Sequence, residues 1–262
     1  MLDDVILTKC REVDAAKERL PFEELKARLA HSIAERDFRK AISVPGKLSL
    51  IAELKRKSPS KGMLRERFDP VSLAQTLEEA GASALSVLTD ETYFGGHLDF
   101  LRDVKQFTEV PVLRKDFIVD PYQVYEAAFY QADAVLLIVR ILPDDGLMHC
   151  LQAADVLGLE ALVEVHSETD LALALADGAR LIGINHRDLT TWQVDPHLSE
   201  RLMPRIPSGK IIVAESGIQS AADVKRLKQL GVHAVLIGEA LMTAPDPAKK
   251  IRELFAGTWE AR

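Results

Sequence analysis

The sequence predicts an α/β protein, a closed (β/α)8 barrel behind an N-terminal helical extension. Three observations carry that expectation. From residue 48 onward, short β-branched or leucine-rich runs alternate with amphipathic stretches long enough for one helix each. The runs number eight, and their ends fall near residues 55, 89, 115, 140, 165, 185, 215 and 238. Alternating strand–helix units imply a parallel sheet with right-handed crossovers, and eight units of ~25 residues match a TIM barrel. Finally, the Gly-x-Gly-x-x-Gly turn expected after the first strand of many open doubly wound sheets is absent.

Taken in order, residues 1–45 read as helical. Leu2, Val5 and Ile6 lie on one side of a charged first segment, and Pro21 starts a second helix with Leu25, Leu29 and Ile33 at i, i+4, i+8. Pro45-Gly46 ends that pattern. The expected strands are 48–54, 84–88, 110–113, 134–139, 161–165, 181–184, 211–214 and 234–237. Residues 46–262 form the barrel and 1–45 its extension, one structural domain overall. On this reading the barrel has its own core, and removal of the extension leaves it folded with weakened substrate binding. The longest irregular connection, 55–68, is dense in Lys, Arg, Ser and Gly and reads as a lid.

The composition excludes several classes of function. The 262 residues carry 33 Lys+Arg against 40 Asp+Glu, a net charge of -7, which argues against nucleic acid or an anionic membrane as the main partner. The two cysteines, Cys10 and Cys150, are too far apart in sequence for a Cys-x-x-Cys motif, which points to a reducing compartment without a disulfide framework or zinc site. The start carries acid where a signal peptide carries base. A cytoplasmic protein is expected, monomeric and without an obligate protein partner.

The informative polar residues stand at strand ends: Glu53 with Lys55, Thr89 with Asp90, Lys115, Glu164, Asn185, and Glu215 with Ser216. In a barrel these ends converge on one mouth, where active sites are built. Residues two apart share a strand face, so Glu53 pairs with Lys55, and Lys115 sits above an inward Leu113. Any one of these alone reads as a rim residue; six ends together read as a catalytic mouth, where crowded acids and amines separate their pKa values. Glycines after the last two runs, Gly217 and Gly238, place close backbone approach where barrels bind phosphate. His166 is assigned an outward capping or packing role. The other histidines His97, His149, His186, His197 and His233 form no ligand cluster, and no metal site is expected. Arg187 and Asp188 read as a loop ion pair or as ligand contacts. Phe94 and Phe117 read as apolar walls or as core.

Several segments together resemble the indole-3-glycerol phosphate synthase family. They are Ile51-Ala52-Glu53-Leu54-Lys55-Arg56-Lys57-Ser58-Pro59-Ser60, Leu88-Thr89-Asp90 with Tyr93-Phe94-Gly95-Gly96, and Leu113-Arg114-Lys115-Asp116-Phe117. Leu162-Val163-Glu164-Val165-His166, Asn185-His186-Arg187-Asp188-Leu189 and Ala214-Glu215-Ser216-Gly217-Ile218 complete the set, in the family's order from about residue 48 to 242. His186 departs from the small or amide residue the family often carries there. The resemblance implies a carboxy-lyase of tryptophan biosynthesis that closes 1-(2-carboxyphenylamino)-1-deoxyribulose 5-phosphate to indole-3-glycerol phosphate, with loss of CO2 and water. It implies Lys115 as general acid and Glu164, Lys55 and Glu53 in the later proton transfers. Asn185, Glu215 and Ser216 then orient substrate, Ser58, Pro59, Phe94 and Phe117 surround the aryl group, and Arg187 helps to offset the anionic substrate. Phosphate falls to Ser216, Gly217, Gly238 and Glu239, and no metal or organic cofactor is implied. Three other readings stand beside it: a Schiff-base aldolase with Lys115 or Lys55 as nucleophile, a phosphosugar isomerase or lyase such as phosphoribosylanthranilate isomerase, whose chains are shorter and lack the helical extension and the paired lysines, and a barrel that binds a phosphorylated metabolite without turnover.

Overall fold

The computed structural model describes residues 2–29 and 36–259. Eight parallel strands close into a barrel. They are β1 (Ser49–Leu54), β2 (Ala84–Leu88), β3 (Val112–Lys115), β4 (Ala134–Ile138), β5 (Glu160–Val165), β6 (Leu181–Asn185), β7 (Ile211–Glu215) and β8 (Ala234–Ile237). Each pairs with its sequence neighbours, and β1 closes the ring against β8 with Ser49 opposite Ala234. The expected runs coincide with these strands. The third begins two residues later than expected because Val110 and Pro111 precede the ladder, and proline cannot donate to it.

Period-two alternation divides each strand between two cores. Ile51, Ala84, Leu113, Leu136, Leu162, Val213 and Leu236 fill the barrel interior. Their neighbours Leu50, Leu85, Val112, Val135, Val163, Ile212 and Val235 pack outward against the helices. The helices start and stop where local chemistry directs. Asp69 caps the helix Pro70–Glu79, with proline in its first turn. Asp120 forms a capping box on the helix Pro121–Phe129, and Ser220 does so on the helix Ala221–Leu230. Gly231 closes that last helix in the left-handed region that a glycine enters without a Cβ penalty.

The extension forms α1 (Leu2–Arg19), α2 (Phe22–Arg28) and α3 (Phe38–Ile42). The expected helix through Ile33 ends at the C-cap Leu29, and Ile33 itself lies outside the described residues. Phe38 and Ile42 are fully buried and share the interior cluster with Ala84, Ala134 and Ala234, the first residues of their strands. The extension therefore completes the barrel core from its N-terminal end. At the opposite end, α1 lays Val5 against the Phe117 cluster. Its Lys9, 3% exposed, reaches Asp90 at 2.8 Å and Asp116 at 3.0 Å.

The connection 55–68 is less irregular than the sequence suggests. Lys57–Ser58 and Gly62–Met63 pair as a short antiparallel ribbon. Lys57 Nζ donates to the Thr92 carbonyl at 2.9 Å, and Arg65 donates to the carbonyl of Ala244 at 3.1 Å. The ribbon is thus tied to the loops on both sides, and only its tip projects.

Candidate active site

A cleft of about 1010 Å³, measured out to bulk solvent, opens at the C-terminal ends of the strands. Glu53 and Lys55 reach it from the end of β1, Lys115 from β3, Glu164 from β5, Asn185 from β6 and Glu215 from β7. Strand register explains the convergence. Glu164 pairs with Gly183, and Asn185 with Glu215, so neighbouring strands present polar groups at nearly one height. Ser58, Phe94, Phe117, Arg187, Ser216, Gly217, Gly238 and Glu239 line the same cleft. Pro59 does not: the ribbon turns Ser58 and Ser60 to the cleft and leaves Pro59 outside its wall. Thr89 and Asp90 also stand outside. The Thr89 hydroxyl donates to Asp116 at 2.6 Å, and Asp90 accepts from the amides of Tyr93 and Phe94, which shapes the loop that carries Phe94.

Lys115 occupies the centre. Its ammonium lies 3.9 Å from carboxylate oxygens of Glu53, Glu164 and Glu215. Two opposed effects set its acidity. Burial does press it down, but Glu164, Glu53 and Glu215 outweigh burial and hold it well above the ordinary lysine value. Lys55 is occupied instead in an ion pair with Glu53. Burial would raise the Glu53 carboxyl, yet Lys55 and Lys115 keep it below its usual range. Glu164 behaves likewise: burial opposes ionisation, but Lys115, His166 and Asn185 bring it down to about 2. Glu215 goes the other way. Burial and the neighbouring Glu164 charge push it well above the usual carboxylate range, toward its neutral form. One mouth thus holds carboxyl groups biased to opposite protonation states.

Two glycines make room for this crowding. A Cβ on Gly183 would fall 2.3 Å from a Glu215 carboxylate oxygen, and one on Gly238 would fall 2.1 Å from a Glu53 oxygen. Gly217 differs: it takes a φ of +72°, next to Ser216 at +63°, and turns the chain tightly over the cleft. Gly217, Gly238 and Glu239 lie together on the cleft wall, and Arg187 donates to Glu239 across it at 3.3 Å. Arg187 and Asp188 do not pair with each other; Asp188 takes Arg140 at 2.9 Å. The Phe94 and Phe117 rings stand 6.0 Å apart at 42°, and Leu136, Leu189 and Trp192 extend that apolar wall.

His166 requires a correction. It was placed outward, but it stands two residues beyond Glu164 and shares its face. Its Nε2 lies 3.1 Å from Glu164 Oε1, with both side chains buried. His186 does face away from the cleft. Its ring meets the Ser216 carbonyl at 3.1 Å and the Ser199 hydroxyl at 2.7 Å. Sequence reasoning also missed Lys9, whose signal is only a lysine in line with the apolar Val5 and Val13 of an amphipathic helix. Trp192 was missed as well; it hangs in a loop at a left-handed φ of 62° that no residue pattern marks.

A parallel barrel with a crowded, partly glycine-lined mouth of acids and amines at the C-terminal ends of its strands defines a barrel enzyme acting on a small molecule. Solved structures agree on the fold. A 3-hexulose-6-phosphate synthase superposes with a TM-score of 0.65 at 18% identity, covering 81% of this chain and 100% of that one. The thiamine phosphate pyrophosphorylase of Pyrococcus furiosus gives 0.59 at 20% identity, with 80% and 94% covered. The sequence is more specific. Residues 2–254 match the family model for indole-3-glycerol phosphate synthase. The indole-3-glycerol phosphate synthase of Acetivibrio thermocellus is 44% identical over 258 residues, 98% of this chain and 99% of that one. That of Campylobacter hominis is 47% identical over 258 residues, 97% and 99% of the two chains. The chain belongs to the indole-3-glycerol phosphate synthase family, carboxy-lyases of tryptophan biosynthesis. Its reaction closes the indole ring of indole-3-glycerol phosphate with release of CO2 and water.

Proposed function

We propose that Lys115 is the general acid of ring closure and that Glu164, Lys55 and Glu53 carry the later proton transfers. The observation that supports this is the Lys115 ammonium held 3.9 Å from each of the carboxylates Glu53, Glu164 and Glu215. As the aryl carbon attacks the ketone, its oxygen becomes an alkoxide, which is more basic than any lysine amine. A fully protonated Lys115 can therefore donate, despite its raised pKa. Loss of CO2 restores the aromatic ring. The new hydroxyl then leaves as water while the CH2 carbon of the new ring, next to the nitrogen, gives up a proton. Glu164 is ionised and can accept that proton, and Lys55, beside Glu53, can assist the departing hydroxyl.

The remaining contacts follow the shape of the cleft. Phosphate sits against Ser216, Gly217, Gly238 and the Glu239 backbone, where Arg187 also reaches. The aryl group lies between Phe94 and Phe117, with Ser58 at the rim. Asn185 and Glu215 orient the sugar hydroxyls. The protein is assigned to the cytoplasm, a reading supported by two cysteines that are both free.

A single-turnover assay that reads CO2 and indole separately tests the assignment. Glu164→Gln is expected to release CO2 at near wild-type rate while indole formation stalls, whereas Lys115→Met loses both. Loss of both products in Glu164→Gln would place Glu164 in ring closure instead. Borohydride trapping of the substrate on either lysine would favour a Schiff-base route.

A further inference from the structure

The two oxygens of Glu164 have different neighbours. Oε2 faces the Lys115 ammonium at 3.9 Å, and Oε1 faces Nε2 of His166 at 3.1 Å. Both side chains are 1% exposed. The imidazole is not part of the cleft wall, so Glu164 stands between it and any substrate. Asp170 lies behind the ring. The His166 backbone N–H donates to Asp170 Oδ2 at 2.8 Å, and His166 Nδ1 lies 3.8 Å from that same oxygen. Arg140 also donates to Asp170 Oδ2, at 3.2 Å. Asp170 sits in the first turn of the helix Glu168–Ala176, whose N-cap Ser167 accepts its amide. A buried imidazole costs free energy unless its polar nitrogens are partnered. Among the described residues neither ring nitrogen makes an aligned hydrogen bond, nor does either Glu164 oxygen, and the nearest acceptor for Nε2 is Glu164 Oε1.

We infer that His166 is a positioning residue for the dehydration step: from its contact at 3.1 Å, a small turn of either side chain aligns Nε2–H on Oε1 of Glu164 and leaves Oε2 as the oxygen presented to substrate. The inference rests on the proposed role of Glu164 as base. Both the neutral Nε2–H tautomer and the imidazolium carry the required proton, so the contact does not depend on one protonation state of the ring. Without it, the Glu164 carboxylate is free to turn about its last torsion and offer both oxygens to Lys115. That geometry strengthens an ion pair and withdraws the base. A preorganised base loses rate when its orienting partner goes, while contacts that bind the substrate elsewhere are unaffected.

The pH dependence follows in sign. Around Glu164 stand Glu53, Lys115, Glu215 and the Asn185 amide; around His166 stand Glu164 and Asp170 with Arg140. A donor to the ionised carboxylate favours that form, so its removal raises the Glu164 pKa. The acid limb of kcat then moves to higher pH.

The experiment compares wild type with His166→Leu, His166→Asn and His166→Gln, reading kcat and KM for indole formation, the kcat–pH profile and melting temperature. Leu removes the donor and Asn is too short to reach, so both are expected to lower kcat by about 5- to 50-fold, short of the ~10²–10⁴-fold of losing a base outright, with KM within about 2-fold. Both move the acid limb to higher pH and keep the CO2 burst. Gln restores most of the rate because its amide N–H can reach Oε1. Wild-type kcat and pH profile in Leu or Asn, or equal losses in all three variants, would overturn the inference. Asn carries the test if Leu does not fold. A Glu164→Gln variant that loses CO2 and indole alike overturns the underlying reading of Glu164 as the dehydration base instead.

Discussion

Gly238, without a side chain, makes room for the Glu53 carboxylate. The sequence reads it as a phosphate-loop glycine, where substitution raises KM far more than it lowers kcat. The structure adds a second consequence. A Cβ at 238 would fall on the Glu53 carboxylate and displace it from Lys55 and Lys115. Gly238→Val is therefore expected to lower kcat as well as raise KM, each by about tenfold or more. A pure KM effect in steady-state kinetics would show that Glu53 yields without consequence. His186 carries a different prediction, about stability. Burial pushes its pKa down to about 4, against an ordinary value near ~6.5. The unfolded chain then binds a proton between those values that the folded chain refuses. Stability falls as pH drops through that window, by up to ~3 kcal/mol at ~1.4 kcal/mol per unit. Melting temperature should decline over this window more steeply in wild type than in His186→Asn; parallel curves would contradict the assignment.

At the scale of elements, α1 and the ribbon after β1 both act on the mouth from outside the barrel wall. Lys9 of α1 places its ammonium against Asp90 and Asp116, which fix the Phe94 loop and the turn into Phe117. The Asp116 carboxyl is held at about 2 because Lys9 and Arg114 outweigh burial. Removing one partner of a buried pair leaves an uncompensated charge, at a cost of roughly 3–5 kcal/mol. Lys9→Met is expected to lower the melting temperature and to raise KM several-fold through the displaced aryl wall. An unchanged KM would confine Lys9 to stability. The ribbon is expected to act as a lid through its tip alone, since both its strands are tied to neighbouring loops. Trypsin should cut after Lys61 in the free protein and more slowly with indole-3-glycerol phosphate bound. Equal rates would argue against a lid.

For the molecule as a whole, the barrel was legible because its signals are local. Each strand reads from a short β-branched run, and each inward polar residue from its parity with an inward leucine, as in Leu113 with Lys115 and Leu162 with Glu164. What escaped is set by distant residues. Lys9 meets Asp90 and Asp116 only after the chain has folded back on itself, and no spacing announces the pair. The direction of the Lys115 shift depends on carboxylates from β1, β5 and β7 arriving at one distance. The depth of Phe38 and Ile42 in the barrel interior was equally hidden. Losing two such side chains costs several kcal/mol apiece, comparable to the ~5–15 kcal/mol that holds a domain together. Deleting residues 1–45 is therefore expected to yield a protein that melts far lower or does not fold, and a truncated barrel with near wild-type melting would contradict that.

Lys115→Arg separates a lysine that donates a proton during ring closure from one that only holds charge. Arginine keeps the cation but does not release a proton in proteins. Steady-state turnover of the anthranilate-derived ketose phosphate, followed by indole fluorescence, should fall by ~10²-fold or more, while KM stays within a few-fold of wild type. Wild-type turnover in Lys115→Arg would contradict the account, leaving Lys115 an electrostatic clamp and the acid to be found in Lys55 or a carboxyl group.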